Sequence, residues 1–327
     1  KDILGNHYFE DLKALVLCAM FFNDEPVLHT ALKAFKAECK EEILPDGMHF
    51  ELSPMYHKLI FEGVVRVVVA LKDKGLDDCE VNGYLQPMLD VAWSLEEGLD
   101  RIPLFNDVGN NVAKSLQALV SACKEHFGIT PEYKSRFIDS GFYIFKQNDW
   151  KLIVDAGQPG PAYIPGHAHC DAMSFELFKT GKPVIVNCGT YAYQCKERSF
   201  FRSTAAHNTV MVNDTEQSQC WGAFRMAKRS KVNVVSVSEK SIVIELMDQR
   251  GQTVKRTIQL EKTLKVTDES GGNKLTAFVH PINDIDMTFD GNSETIGQQY
   301  APEYGELVSL EAVRYEGNGK ISVEICI

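Results

Sequence analysis

The spacing of apolar residues changes once along this chain of 327 residues, near residue 130. Upstream, apolar residues recur every three or four positions, which predicts helices over residues 8–22, 27–43, 56–73 and 112–127. After Tyr133 the period is two, with many β-branched and aromatic residues, which predicts strands over residues 141–147, 150–156, 182–189, 207–213, 231–238, 241–248 and 252–260. Because no helical pattern separates the strands, antiparallel pairing is favoured over a parallel α/β sheet.

The sequence therefore predicts an α+β chain with two domains. The first, residues 1–130, is helical, and the second, residues 131–327, is an antiparallel β-sandwich. Gly128 and Pro131 end the last helical segment. No long linker follows them, so the two domains are expected to pack directly against each other.

Charge and hydropathy argue against two classes of partner. The formal net charge is -11, and nucleic-acid binding depends largely on lysine and arginine neutralising phosphates, so no nucleic acid is expected. No apolar run reaches the roughly 20 residues that cross a bilayer, so no membrane is expected. The nine cysteines contain no CxxC pair. Most are interpreted as buried thiols in a reducing compartment, which favours the cytoplasm over export with an upstream signal.

The densest group of reactive side chains is the segment GPAYIPGHAHCDAMSFELF, which holds His167 and His169. Residues two apart in an extended chain face the same side, so both imidazoles are expected to address one cleft. A third histidine, His207, follows Arg202 in RSFFRSTAAHNTVMV. A single histidine is most often structural, but this grouping makes a functional cluster an equal alternative.

The helical part adds two candidate segments. GNHYFED places Asn6 and His7 directly before a helix, where Asn6 on its own is interpreted as an N-cap. ELSPMYHKLIFE places Tyr56 in the first turn of another helix. A purely structural interpretation of this segment is that Ser53 caps the helix, Pro54 occupies its first turn and the Tyr56 ring serves only in packing.

Four motifs, in this order, resemble the heparinase II/III superfamily of polysaccharide lyases, which includes alginate and oligoalginate lyases: GNHYFEDLKAL, ELSPMYHKLI, PGHAHCDAMSFEL and FFRSTAAHNTV. The resemblance implies an incomplete α/α toroid packed on a β-sandwich, with the active site between them. It also implies β-elimination in a uronate-containing glycan. The expected partner is therefore an acidic polysaccharide or oligosaccharide, with no organic cofactor.

The resemblance assigns roles motif by motif. Asn6 matches the asparagine that binds the uronate carboxylate, and His7 matches the neighbouring active-site histidine. Tyr56 matches the catalytic tyrosine. His167 matches the histidine that faces this tyrosine from the sandwich.

The resemblance also implies a zinc site. His169 and His207 match two of its ligands, and the family's third ligand is an aspartate after a strand. Here PVIVNCG places Asn187 at that position. Because a neutral amide is a poorer zinc ligand than a carboxylate, zinc is expected to be held weakly or not at all.

β-Elimination removes the C5 proton of a uronate and expels the 4-O-linked sugar, so it needs carboxylate neutralisation, a base and an acid. Tyr56 is expected to be the acid and, if both transfers occur on one face, also the base. That double role needs a lower tyrosine pKa, which Arg202 or a charged histidine is expected to supply. For the opposite C5 epimer, His167 or His7 would be the base. Arg202 and Tyr163 are also expected to contact the substrate.

Two other functions stay open at this point. A glycoside hydrolase would use a pair of carboxylates, for which Glu62, Asp107, Asp155 and Asp171 are available without forming a recognisable pair. A non-catalytic protein that binds acidic glycans would use the same cleft without turnover.

The motif with Asn6 and His7 stands almost at the first residue, whereas the family places several toroid helices before it. This chain is therefore expected to be the C-terminal part of a toroid with its sandwich, and a poor enzyme by itself. The segment LKALVLCAMFF is apolar nearly all round. Without covering helices it is expected to favour self-association.

Overall fold

The computed structural model describes residues 4–76 and 78–327. Within these residues the helical part contains α1 (Asn6–Phe22), α2 (Glu25–Glu42), α3 (Pro54–Asp73), α4 (Cys79–Asn82), α5 (Leu85–Glu96) and α6 (Leu116–Phe127). The predicted segments at α1, α2 and α3 are confirmed. The segment predicted from residue 112 begins later, because the Ser115 side chain accepts a hydrogen bond from Ala118 N (3.2 Å) and caps α6 there.

Helix α5 was not among the predicted helices. Its third residue is Pro87, a residue that commonly interrupts a helical pattern. In the first turn, however, the missing N–H of proline removes no intrahelical hydrogen bond. Val91 and Leu95 of this helix join the core between the helical part and the strands.

The start of α3 follows the structural interpretation of its motif. Ser53 Oγ accepts a hydrogen bond from Tyr56 N (3.2 Å), and Pro54 is the first helical residue. Ser53 Oγ also donates to the carbonyl oxygen of Asp107 (2.5 Å). The turn that carries Tyr56 is therefore tied to the loop that carries Asp107.

The start of α1 differs from its motif interpretation. Asn6 is the first helical residue, and the N-cap position belongs to Gly5, which has a φ of 69° and makes no side-chain cap. The interpretation of Asn6 as an N-cap is therefore wrong. The asparagine side chain remains available for another role.

The strands of the described residues form two antiparallel sheets and one hairpin. The first sheet has the order β1 (Arg136–Phe137), β2 (Phe142–Gln147), β3 (Trp150–Asp155), β4 (Phe175–Lys179) and β5 (Lys182–Ile185). The second contains β6 (Val210–Val212), β9 (Lys231–Val237), β10 (Ser241–Met247), β11 (Thr253–Leu260), β12 (Thr263–Val279), β13 (Met287–Asp290), β14 (Asn292–Tyr300) and β15 (Val308–Cys326). A separate hairpin pairs β7 (Gln219–Trp221) with β8 (Arg225–Ala227), and α7 (Arg198–Phe201) precedes β6. Every predicted strand segment contains a strand, so the α+β prediction is confirmed.

The two sheets share one hydrophobic core. Phe145, Leu152 and Leu177 from the first sheet pack in the same buried cluster as Ile244 and Val266 from the second. All six residues of β3 are buried, which a strand shows when both faces of its sheet are covered. The two sheets therefore pack against each other through this core, and the β-sandwich assignment stays a prediction.

The other face of the first sheet packs on the helical part. Leu52 and Val91 share a buried cluster with Phe142, Ile153 and Phe178. The expected direct packing of the two parts is therefore confirmed. Helix α6 ends at Phe127 and the first strand begins at Arg136, while the division into domains at residue 130 stays a prediction.

All nine cysteines are free thiols. Four are buried, namely Cys39, Cys123, Cys170 and Cys188, so the expectation that most are buried is wrong. The reducing compartment stays a prediction. In the described part of the chain, no helix combines the length and hydropathy needed to cross a membrane.

Candidate active site

The carboxylate of Asp107 is the centre of the candidate site, and it is fully buried. Arg198 donates to both of its oxygens, to Oδ1 in a close contact and to Oδ2 at 2.7 Å. His167 Nδ1 lies 2.9 Å from Oδ2, and His169 Nε2 lies 2.8 Å from Oδ1. Burial alone would raise the pKa of Asp107, but Arg198 and the two histidines hold it well below its usual range. Asp107 is therefore an ionised anchor for two imidazoles.

His167 is oriented by this anchor. With an N–H at Nδ1 donated to Asp107, the neutral imidazole has its lone pair at Nε2. The ring lies on the Tyr56 ring, with centroids 3.9 Å apart, and is 8% exposed. His167 is thus the histidine of the motif that packs against Tyr56.

The second histidine of the motif does not reach the cleft. His169 is fully buried behind His167, and the two rings use different oxygens of Asp107. The segment between β3 and β4 that carries them is not a regular strand. The expectation that both imidazoles address one cleft is therefore wrong.

Tyr56 brings the helical part into the site. Its hydroxyl lies 2.8 Å from the Tyr193 hydroxyl. Burial raises the pKa of Tyr56 well above its ordinary value, and the lowering effects of Tyr193 and Arg198 do not offset it. The expected lowering of this pKa is therefore wrong, because burial dominates. A phenol with a raised pKa stays protonated near neutral pH, so the Tyr56 hydroxyl carries its proton.

Asn6 and Tyr56 line the same groove, which has a volume of about 340 Å³. Glu62 and Arg66 lie on its wall and form an ion pair with each other (2.6 Å). His7 is exposed and does not line this groove, because adjacent helical residues point about 100° apart. The structure therefore brings Asn6, but not His7, to the tyrosine.

Arg202 does not face the cleft. It is 1% exposed, and its guanidinium donates to carbonyl oxygens, including Ala168 O (3.0 Å) and Arg225 O (3.1 Å). Its expected roles as substrate contact and as cation near Tyr56 are wrong for this reason. Arg198, one helical turn earlier, is the cation that packs over the Tyr193 ring (5.1 Å).

Tyr163, the other expected substrate contact, is 52% exposed and lines a neighbouring groove. Its hydroxyl donates to Glu41. Its ring also contacts Phe50, with centroids 6.2 Å apart. The residue is accessible, and its contact with substrate stays a prediction.

The expected zinc ligands are only partly arranged for a metal. His169 Nδ1 and His207 Nε2 lie 3.1 Å apart, and their outer nitrogens have acceptors in Asp107 and in Ser203 O (2.8 Å). That pattern suits two metal-binding imidazoles held by a second shell. The amide oxygen of Asn187, however, already accepts from Asn208 N (3.0 Å).

Among the residues described, no three histidine, cysteine, aspartate or glutamate side chains are grouped to hold a metal ion. Structural zinc takes four ligands. The donor set therefore does not fit a complete zinc site.

The carboxylates considered for a hydrolase are arranged differently from an acid/base pair in a cleft. Asp107 is bonded by Arg198 and two histidines, and Glu62 is paired with Arg66. Asp155 and Asp171 are 3% and 2% exposed. A hydrolase needs two carboxyl groups that flank the glycosidic bond, and the geometry does not favour it.

These features define a class of protein: a helical part and two packed antiparallel sheets, with a tyrosine from a helix against a histidine from the sheets. Two family profiles cover the chain, the heparinase II/III N-terminus at residues 4–134 and the heparinase II/III-like C-terminal domain at residues 129–315. The chain belongs to the heparinase II/III family.

Two curated relatives are heparin-sulfate lyases. The protein from Pedobacter heparinus is 25% identical over 243 residues, which is 64% of this chain and 36% of the relative. The protein from Bacteroides stercoris is 24% identical over 258 residues, which is 66% of this chain and 36% of the relative. The chain thus matches little more than a third of the length of either protein.

Solved structures show the same fold. A heparinase III superposes with a TM-score of 0.82 at 16% identity, covering 99% of this chain and 60% of that one. A mutant heparan sulfate lyase from Pedobacter heparinus superposes with a TM-score of 0.74 at 17% identity, covering 98% and 60%. At this identity the likeness concerns the fold.

Proposed function

We propose that this chain carries the catalytic cleft of a polysaccharide lyase that cleaves a uronate-containing glycan by β-elimination. The observation that carries the proposal is the stacking of Tyr56 on His167, whose Nδ1 is held by Asp107. A proton donor and a proton acceptor then lie side by side, as elimination requires. Family membership and the two heparin-sulfate lyase relatives support the same reaction.

The carboxylate of the substrate must be neutralised before its C5 proton can leave, because the existing charge opposes carbanion formation. Asn6 is proposed for this role, since its amide can donate hydrogen bonds and it lines the groove with Tyr56. His7 is exposed outside that groove. It is therefore proposed to help neutralise the carboxylate only if the first turn of α1 moves toward the groove.

The proton transfers are proposed to be divided between two residues. His167 Nε2 takes the C5 proton, because Asp107 holds the imidazole with its lone pair at that nitrogen. Tyr56 gives its proton to the departing 4-oxygen, because burial keeps the phenol protonated. The tyrosine hydroxyl is then reprotonated through Tyr193 or solvent.

The substrate is proposed to be a heparan-type glycan, by analogy with the names of the relatives. Alginate-like uronates share the C5 proton and the 4-O leaving group, so they are the comparison substrates. The test is ultraviolet absorbance of the unsaturated uronate product on a panel of uronate polymers. Absorbance with heparan sulfate supports the proposal, absorbance only with alginate corrects the substrate, and cleavage without absorbance indicates a hydrolase.

Two further expectations remain proposals. A metal, if bound, is held weakly by His169 and His207, away from the proton transfers. Self-association is proposed to use α1, which exposes Leu15, Phe21 and Phe22 at 45%, 78% and 74%. Self-association is tested by measuring the molar mass of the unmodified chain and of the Phe21→Ser, Phe22→Ser variant by light scattering.

A further inference from the structure

The hairpin of β7 and β8 is fixed to the candidate site through its backbone. Arg198 Nε donates to Ala223 O (2.9 Å), and Arg202 Nη1 donates to Arg225 O (3.1 Å). The Phe224 ring at its tip contacts the His167 ring, with centroids 5.8 Å apart. The hairpin is therefore held in place at the edge of the catalytic cleft.

One face of this hairpin points away from the core. Trp221 and Arg225 are directly opposite each other across the two strands, so their side chains lie on the same face. Trp221 is 48% exposed and Arg225 is exposed. Among residues 4–76 and 78–327, the Arg225 guanidinium has no hydrogen-bond or ion-pair partner. The face thus presents an aromatic ring beside an unpaired cation.

These side chains line a groove of about 540 Å³ that also includes Tyr163, Gly166 and Phe224. Gly166 precedes His167 in the sequence, and the Phe224 ring, which lines the groove, lies 5.8 Å from the His167 ring, so one end of the groove adjoins this histidine. An apolar ring in an open groove suits the apolar face of a pyranose, and a guanidinium suits carboxylate or sulfate through paired N–H donors. The chain has a net charge of -11. The unpaired, exposed guanidinium of Arg225 is therefore opposite in sign to the net charge of the molecule.

We propose that this groove is a binding subsite for an acidic sugar unit beyond the scissile linkage, with Trp221 stacking on the pyranose and Arg225 pairing with its anionic group. This inference rests on the proposed function for the identity of the ligand. The proposed occupant is the same polymer strand that passes His167, because Phe224 both lines the groove and contacts the His167 ring. Trp221 and Arg225 then set preference for longer, charged substrates and take no part in proton transfer.

The test measures binding separately from cleavage. A fluorescently labelled heparan sulfate octasaccharide is titrated by anisotropy into Tyr56→Phe, which keeps the ring in place and removes the proposed proton donor. In that background Trp221→Ala and Arg225→Gln are each expected to weaken binding by roughly tenfold, the factor for one lost charged or well-packed contact. Phe22→Ala and Lys231→Gln remove an exposed ring and an exposed cation outside the groove, and are expected to leave affinity unchanged.

A second readout uses Trp221 itself. Among the three tryptophans it is the most exposed, since Trp150 is 7% exposed and Trp93 is half-buried. Octasaccharide is expected to reduce iodide quenching of tryptophan fluorescence in Tyr56→Phe, and this protection is expected to disappear in the added Trp221→Phe variant.

The outcomes separate the two proposals. Unchanged octasaccharide affinity in both groove variants, or losses equal to those of Phe22→Ala and Lys231→Gln, would overturn the subsite. Weakened binding in the groove variants would support the subsite. If the unmodified chain also cleaved no polymer of the uronate panel, the subsite would stand and the lyase function would be removed. Absence of binding together with absence of cleavage would overturn both.

Discussion

The Tyr56 ring lies on the His167 ring, with centroids 3.9 Å apart and planes tilted by 30°. The two residues come from opposite parts of the molecule, the first turn of α3 and the loop between β3 and β4. Ser53 and Asp107 link these parts, because the serine hydroxyl donates to the carbonyl of the residue whose carboxylate holds His167. The relative position of the Tyr56 and His167 rings is therefore set by two hydrogen bonds at Asp107.

Tyr56→Phe is expected to reduce turnover at least roughly a hundredfold, because the hydroxyl proposed to donate the proton is lost. The ring and its packing on His167 remain, so the melting temperature should change little. Initial rates on the best polymer of the panel, with thermal unfolding of both proteins, measure this. Near-normal turnover would remove Tyr56 from the mechanism.

Asp107→Asn is expected to lower turnover by roughly a hundredfold or more, because an amide cannot hold the His167 tautomer as a carboxylate does. It should also destabilise the fold by about 3 kcal/mol, because Arg198 is left buried without its counter-charge. The pH profile of turnover and urea unfolding report the two effects. Glu62→Gln is the control, and a loss of turnover as large in that variant would revive a carboxylate mechanism.

Asn187→Asp is expected to increase metal affinity, because it supplies a carboxylate at the position of the family's third ligand. Metal analysis after dialysis against zinc compares the variant with the unmodified chain. One tightly held zinc in the unmodified chain would show that the site is complete already. A variant that gains no affinity would show that Asn187 is not the cause of weak binding.

Glu42→Gln is expected to stabilise the fold increasingly as pH rises from 4.5 to about 7. Glu42 is fully buried, 3.2 Å from His49 Nε2, and burial raises its pKa from 4.5 to about 7. The folded state therefore holds this proton more tightly than the unfolded state, so the glutamate's contribution to stability is complete below pH 4.5 and is lost as pH rises through 7.

Glutamine does not titrate, so the difference in unfolding free energy between variant and parent should grow by up to about 3 kcal/mol over that interval. Urea unfolding at pH 4.5 and pH 8 measures it. A difference that is the same at both pH values would contradict the raised pKa.

The periodic segments were predictable from the sequence because apolar spacing directly reflects burial on one face of a helix or strand. Helix α5 was not predictable in this way, because it contains Pro87. A helix tolerates proline only in its first turn, and the sequence pattern did not show that Pro87 lies there. The sequence motifs pointed to Tyr56 and His167, which the structure places in contact. They did not show Asp107 as the partner of both histidines, since that contact joins residues about 60 apart in sequence.

The choice between the two arginines also needed the structure. Arg198 and Arg202 are one turn apart in the same segment, and both are buried. Arg198 meets a carboxylate, whereas Arg202 meets carbonyl oxygens of the hairpin. Similarly, the raised pKa of Tyr56 follows from burial, which the motif alone does not specify.

β-Elimination by the proposed pair of Tyr56 and His167 leaves an unsaturated uronate at each cut, whereas hydrolysis does not. The most direct measurement follows ultraviolet absorbance and new reducing ends together during digestion of heparan sulfate and alginate by this chain and by Tyr56→Phe. We expect each new reducing end to appear with one unsaturated uronate, and both signals to fall together in Tyr56→Phe. New reducing ends without the unsaturated product, at a rate that Tyr56→Phe leaves unchanged, would contradict it.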